Sequence, residues 1–311
     1  MVKISFVIPC YRSSNTLESV IDEIDNKMTE MSIENYEIVM VNDCSPDDTL
    51  SVIKKLCDGD SRRKGIAFAK NFGQHAAIMA GIRNSAGEYV VCLDDDGQTP
   101  ACEADKLIQK LDEGYDAVYA RYEHKKHSIF RNLGSKLNEL MTRIMLDKDP
   151  KLFISSYFAV KRFIADDMIR YENSYPYVIG LVLRTTGNIA NVTVSHRERT
   201  LGRSGYNLSK LLGLWMNGFT AFSVKPLRIA TSFGVFFACM GFFYGIYTII
   251  KKLLNPGVAE GFSALMAAVV FFGGMIMILL GLIGEYLGRV YISLNNSPQY
   301  VVREKINFAD K

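Results

Sequence analysis

"YVVCLDDDGQTP", residues 89–100, runs a short apolar segment straight into three consecutive aspartates and a glycine. Val90, Val91 and Leu93 fit a strand buried on both faces, and the polar residues after them mark where it ends. The same pattern recurs upstream. Residues 4–8 form an apolar run ended by "PCYRSS", and residues 36–41 form another ended by "NDCSPDD". Further strands fall at 65–69 and 116–120. Between them the apolar period lengthens to that of helices. Leu17, Val20, Ile21 and Ile24 make one helical face, Leu50, Val52, Ile53 and Leu56 a second, and "HAAIMAGIRNSAG" a third helix closed by Gly87. Strands alternating with helices specify an α/β fold, a mostly parallel sheet covered on both faces. Ligands gather at the carboxyl ends of such strands, so the three polar loops are expected to converge on one rim.

The second half changes character. Residues 229–250 and 262–283 are two stretches of 22 residues without a charge. Each spans roughly 33 Å as a helix, enough for a bilayer core. Two such stretches joined by "KKLLNPGVAEG" read as a transmembrane hairpin; the rival reading is a pair of buried helices in a soluble protein. Lys210, Lys225, Arg228, Arg289, Arg303 and Lys305 flank the hairpin on the domain side, against Lys251 and Lys252 in its loop. That bias favours a domain facing the cytoplasm, in a multi-pass protein of the inner (cytoplasmic) membrane. Residues 207–224 place Leu208, Leu211, Leu212, Trp215 and Phe219 on one helical face, which suits either an interfacial helix or a core helix of the soluble domain. "HSIFRNLGSKLNELMTRIML" has a similar face and adds Arg131, Lys136 and Arg143. The expected organisation is a catalytic domain at 1–206, a juxtamembrane helix at 207–227, the hairpin at 228–284 and a cytosolic tail at 285–311.

Composition narrows the classes. A net charge of +3 is too mild for a nucleic-acid binder, and 49% hydrophobic residues is normal for a globular chain. The slightly positive mean hydropathy, +0.07, comes from the two apolar stretches. Six cysteines at 10, 44, 57, 92, 102 and 239 include no CxxC pair, which reads as reduced thiols. The opening "KISFVIPCY" has no basic leader and no cleavable apolar segment, so no signal peptide is expected.

Asp94, Asp95 and Asp96, followed by Gln98, supply oxygen ligands only, and hard oxygen ligands suit Mg²⁺ or Mn²⁺. Mg²⁺ usually takes one or two protein carboxylates and completes its shell from phosphates and water, so a di- or triphosphate is the expected partner. A second acidic loop, Asp43, Asp47 and Asp48, lies at the same rim.

"FVIPCYRSSNTL", "VMVNDCSPDDT", "AKNFGQHAAIMAGI" and "VCLDDDGQTP", in this order, resemble glycosyltransferase family 2, of GT-A, Rossmann-like fold. "RTLGRSGYNLSKLLGLWMNGFTAFSVKPLR", two spans and "GEYLGRVY" resemble its polyprenyl-phosphate subgroup, the dolichol-phosphate mannose synthases and undecaprenyl-phosphate sugar transferases. The resemblance implies metal-dependent, inverting transfer of a sugar from a nucleoside diphosphate, with uridine favoured, to undecaprenyl phosphate. Pro9 and Tyr11 would line the nucleobase pocket and Asp43 would contact the nucleoside. Asp94 and Asp95 would hold the nucleotide, and Asp96 and Gln98 the metal. Lys70 and Asn71 would shape the donor pocket, Arg131 would meet a phosphate, and Arg199 and Ser204 would close over the diphosphate. Three positions depart from the subgroup: Ser156 stands where many members carry aspartate, Gly205 where relatives often have lysine, and Asn42 in place of the first residue of an Asp-Asp pair.

Rival readings are a polysaccharide-elongating family 2 enzyme and a non-catalytic nucleotide-sugar binder. The first wants a QxxRW motif, which the only tryptophan, Trp215, does not supply; the second would tolerate loss of Asp94, Asp96 and Gln98, all present. A dinucleotide oxidoreductase would need GxGxxG after the first strand. Gly241/Gly245 and Gly284/Gly288 have GxxxG spacing, which suits packing within the hairpin or in a homo-oligomer.

Overall fold

The computed structural model describes residues 2–122, 149, 151–195, 225–254, 261–295 and 297–308. Strand β1 (Ile4–Cys10), helix α1 (Leu17–Glu30), β2 (Tyr36–Asn42), α2 (Thr49–Gly59), β3 (Arg63–Phe68), α3 (Gln74–Arg83) and β4 (Tyr89–Cys92) follow in strict alternation. After α4 (Ala104–Asp112) and β5 (Ala117–Tyr122) come β6 (Phe158–Lys161), α5 (Arg162–Met168), α6 (Val178–Thr185) and β7 (Ile189–Val194). The long helices α7 (Lys225–Leu254) and α8 (Phe262–Leu294) precede a last strand, β8 (Val302–Ile306).

The eight strands form one sheet in the order β7-β5-β6-β4-β1-β2-β3-β8. Strands β4, β1, β2 and β3 are mutually parallel, so their carboxyl ends share one edge. β6 enters antiparallel between β4 and β5. The parallel strands are buried on both faces because both carry apolar side chains. Ile4, Phe6 and Ile8 of β1 join Ile38 and Met40 of β2 and the apolar face of α1 in one core. Val39 and Val41 turn the other way, onto Ala76, Ala77 and Ala80 of α3.

At the opposite end of the strands a buried charge is fully paired. Glu37 receives Ser5 Oγ at 2.6 Å, Lys64 Nζ at 2.6 Å and the amide of Ala86 at 2.5 Å. Burial works to raise its pKa, and these bonds more than offset it, leaving the carboxyl below its usual range.

β8 changes the expected domain limits. From sequence alone, residues 285–311 are expected as a tail beyond a domain ending at 206. Instead, residues 1–211 and 296–311 form one compact unit and residues 212–295 another. β8 pairs antiparallel with β3, with a register shift between Ala67 and Phe68. Tyr300 stacks on Phe68 with ring centroids 5.1 Å apart, and the Ala69 amide donates to Val301 O at 2.9 Å. Gln299 Nε2 reaches the carbonyls of Tyr171 and Asn173 at 3.2 and 3.1 Å. As the new sheet edge, β8 carries Arg303, Glu304 and Lys305, charges that discourage further pairing.

In the second unit, α7 and α8 meet through Phe237 and Phe271, with ring centroids 5.7 Å apart. Two windows, Ala230–Tyr247 at mean hydropathy 1.4 and Phe271–Ile292 at 1.7, are long and apolar enough to cross a membrane. None of either window is buried, and Phe243 and Ile278 are 68% and 74% exposed. Core helices of a soluble domain bury most such side chains, so this exposure favours the membrane-spanning reading of the two stretches. Helix α8 also continues past the expected limit at 283, to Leu294.

Candidate active site

The carboxyl ends of β1, β2 and β4 and the loop from β3 to α3 supply the site. The Asp43 amide donates to Cys10 O at 3.0 Å, which ties the end of β2 to that of β1. Beyond β1 the chain turns at Arg12, whose φ is +61°, and beyond β2 at Cys44, at +53°. The first turn sends the Tyr11 amide to Asp95 at 2.9 Å and the Arg12 amide to Ser45 Oγ of the second turn at 3.2 Å.

Asp94 is partly buried at the end of β4. Gln74 Nε2 donates to its Oδ1 at 2.8 Å, and Ser156 Oγ donates to its Oδ2. Burial, aided by the charges of Asp96 and Asp95, pushes its pKa up to about 6 against those two hydrogen bonds. Asp95 accepts the Tyr11 amide at 2.9 Å and the Ser13 hydroxyl on Oδ2, and its carbonyl accepts Thr16 Oγ1 at 2.6 Å. Its pKa is also raised, first by burial. Among the described residues no lysine or arginine forms an ion pair with Asp94 or Asp95. Asp96 Oδ1 accepts the Gln98 amide at 3.1 Å across a turn in which Gly97 adopts φ +71°, a conformation that favours glycine.

Asp43 is 4% exposed and takes the amides of Phe72 and Gly73 at 2.7 and 2.8 Å, one on each oxygen. It therefore shapes the β3–α3 loop; burial raises its pKa despite these bonds. Asn71 Nδ2 adds a bond to Asp43 O at 3.1 Å, and the Lys70 ammonium lies 4.9 Å from the centroid of the Phe72 ring. Pro9 is buried within β1, aligned with Val41. Tyr11 is 46% exposed, with the Arg12 guanidinium 5.5 Å from its ring centroid.

The structure thus brings together Tyr11, Asp43, Asn71, Asp94, Asp95, Asp96 and Gln98 on neighbouring loops of one rim. Arg131, Arg199, Ser204 and Gly205, and the stretch 207–224 expected as an interfacial or core helix, lie outside the described residues. Asp47 serves its own turn, accepting from Thr49 Oγ1 at 2.7 Å and the Ser14 amide at 3.3 Å. Asn42 does turn work too, accepting the Ser45 amide at 3.1 Å. Gln74, Ser13, Thr16 and Tyr122 escaped the sequence reading. Tyr122 is hydrogen-bonded to Thr99, and burial, with the nearby charges of Asp94 and Asp96, raises its pKa to about 12.

Comparison with known proteins agrees with this geometry. The profile of glycosyl transferase family 2 matches residues 5–169, more than half of the chain. The chain belongs to that family. A second profile, the GtrB C-terminal hairpin, matches residues 225–290, which takes in α7 and most of α8. This glycosyltransferase is 31% identical to the glycosyltransferase YkcC of Bacillus subtilis over 100% of its own length and 96% of the relative's. It is 30% identical to the undecaprenyl-phosphate 4-deoxy-4-formamido-L-arabinose transferase of Klebsiella pneumoniae strain 342, over 98% and 94% of the two chains. Among solved structures it resembles glucosyl-3-phosphoglycerate synthase from Mycobacterium tuberculosis, crystallised with Mn²⁺, UDP and phosphoglyceric acid. The TM-score is 0.52 at 18% identity, over 69% of this chain and 75% of that one. That likeness establishes the GT-A fold of the catalytic unit.

Proposed function

We propose that this glycosyltransferase moves a sugar from UDP to the phosphate of a polyprenyl phosphate, undecaprenyl phosphate in a bacterial membrane, with inversion at the anomeric carbon. The observation that carries the reading is the aspartate cluster at the carboxyl edge, where Asp94 and Asp95 are met among the described residues by neutral donors only. Excess negative charge there calls for a cationic partner. The K. pneumoniae relative, whose name states an undecaprenyl-phosphate acceptor, supports the choice of substrate.

A divalent ion, Mg²⁺ or Mn²⁺, fits the donor set. Among the described residues no group of three or more His, Cys, Asp or Glu side chains is arranged to hold an ion alone. Mg²⁺ usually takes only one or two protein carboxylates and completes its shell from phosphates and water, and Asp96 with Gln98 offers such a partial set. Asp96 and the Gln98 side chain would hold it. When bound, it supplies neutralisation of the charge growing on the leaving diphosphate.

The chain's own residues bind and orient. Asp94 and Asp95 take the nucleotide sugar, Pro9, Tyr11 and Asp43 form the nucleobase end, and Lys70 and Asn71 border the donor. Arg131, Arg199 and Ser204 are assigned to the phosphates. A phosphate oxygen of the acceptor forms a bond to the anomeric carbon as the bond from that carbon to the diphosphate breaks, and UDP leaves with the electron pair. No proton need be removed from the nucleophile, because a phosphate monoester with a second pKa near about 6 is already largely dianionic at neutral pH. A hydroxyl at position 156 is compatible with such an acceptor. The hairpin would keep the catalytic unit at the membrane, on the cytoplasmic side given the basic residues Lys225, Arg228 and Arg289.

The test is a donor screen with full-length protein in nanodiscs containing polyprenyl phosphate, following label from UDP- and GDP-sugars with and without Mn²⁺. Metal-dependent transfer from a UDP-sugar to lipid, lost in Asp96→Ala, is expected. UDP binding without transfer from any donor would instead favour a nucleotide-sugar binder without activity.

A further inference from the structure

Asp94 is gripped on both oxygens by neutral side chains that arrive from distant parts of the chain. Gln74, 20 residues away in sequence, donates to Oδ1 from the first turn of α3. Ser156, 62 residues away, donates to Oδ2 from the segment just before β6. Both grips are themselves anchored. Asp43 holds Phe72 and Gly73, the residues directly before Gln74. On the other side, Ser155 Oγ lies 2.8 Å from the carbonyls of both Ala120 and Tyr157. Asn191 accepts the Phe153 amide at 2.7 Å, while its Nδ2 donates to Phe153 O at 2.7 Å and Tyr119 O at 3.1 Å. Ser156 therefore reaches Asp94 from a strap already fixed to β5 and β7.

We propose that Gln74 and Ser156 form a neutral clamp that sets the direction of the Asp94 carboxylate toward the donor, making both of them positioning residues of the transfer. This rests on the reading of Asp94 as a nucleotide-sugar ligand. A carboxylate offers about four lone-pair positions, so two donors fix its plane and leave one position on each oxygen for substrate. Neutral donors do this without cancelling the charge, as a lysine or arginine would.

The experiment uses full-length protein in nanodiscs and the variants Ser156→Ala, Ser156→Thr and Ser156→Asp. UDP affinity with Mn²⁺ is read by calorimetry, kinetics by transfer, and the Asp94 carboxylate by a crystal structure of Ser156→Ala. Losing one hydrogen bond to a charged group should weaken UDP binding about tenfold in Ser156→Ala, with KM for the lipid acceptor unchanged. Ser156→Thr, which keeps the hydroxyl, should recover affinity to within about threefold, and Ser156→Asp should bind UDP more weakly than Ser156→Ala. Wild-type UDP affinity in Ser156→Ala, equal impairment in Ser156→Thr, or an unmoved Asp94 carboxylate would each overturn the clamp. If wild-type protein binds UDP yet transfers no sugar, the functional reading fails while the affinities still judge the clamp.

Discussion

His75 offers a test of the packing beside the site through pH. It follows Gln74 in the first turn of α3, and its ring meets Tyr177 edge-on with centroids 5.4 Å apart. Its Nδ1 is buried without a hydrogen-bond partner among the described residues. Burial lowers its pKa from 6.5 to about 4. An imidazole that is harder to protonate when folded stabilises the fold above the unfolded pKa, and that contribution is lost as pH falls from 6.5 toward 4. At about 1.4 kcal/mol per tenfold change in proton affinity, the fall corresponds to about 3 kcal/mol. The residue as a whole keeps an exposed edge, so about 2 kcal/mol is a fair expectation after screening. Asp94 acts oppositely in part of the same window. With its pKa raised to about 6, it adds stability at low pH that is lost as pH rises through 6. Comparison with His75→Phe, which keeps an aromatic ring against Tyr177, removes that shared background. Denaturant unfolding of the full-length protein in detergent, followed by near-UV circular dichroism at pH 7, 5.5 and 4 (about the titration window), should show wild type losing about 2 kcal/mol more than the variant. Parallel pH profiles, or a His75 resonance titrating at its ordinary value, would refute the reasoning.

Other perturbations follow from contacts described above. Lys64→Met leaves Glu37, whose side chain is 2% exposed, buried without its counter-charge and should cost about 3 kcal/mol in urea unfolding. Adding Glu37→Gln should recover part of that loss. Gly87→Ala would place a methyl group 2.5 Å from the Ser5 backbone nitrogen, so β1 and the turn before β4 must part; about 2 kcal/mol of destabilisation is expected by thermal unfolding. Chelation with EDTA should weaken UDP binding at least about tenfold by calorimetry, and Mn²⁺ should restore it.

The parallel half of the sheet was legible because its strands are unbroken apolar runs that must be buried on both faces. The later additions were not; of these β6 and β8 pair antiparallel, while β7 runs parallel to β5. β6 is only "FAVK", β7 is interrupted by Asn191, and "VREKI" of β8 looks like a solvated segment until β3 is placed beside it. Pairing partners so far apart in the chain leave no local periodicity to read. In the site, Asp94, Asp95 and Asp96 stood out because like charges crowd a strand end. Ser13 and Gln74 did not, since a serine or glutamine gains its meaning only from the carboxylate it meets across the rim. Asp43 was read as a ligand and is equally a loop anchor, a duty visible only through the backbone amides of Phe72 and Gly73.

The position of β8 in the chain has a consequence for biosynthesis. β3 offers an open row of backbone donors and acceptors until residues 302–306 exist, and those residues are translated after both apolar helices. The sheet is therefore completed only after both apolar helices have been translated. A nascent chain stalled before that point would carry a raw sheet edge, a template for pairing with other chains. Completion of the catalytic unit thereby follows synthesis of the two apolar helices.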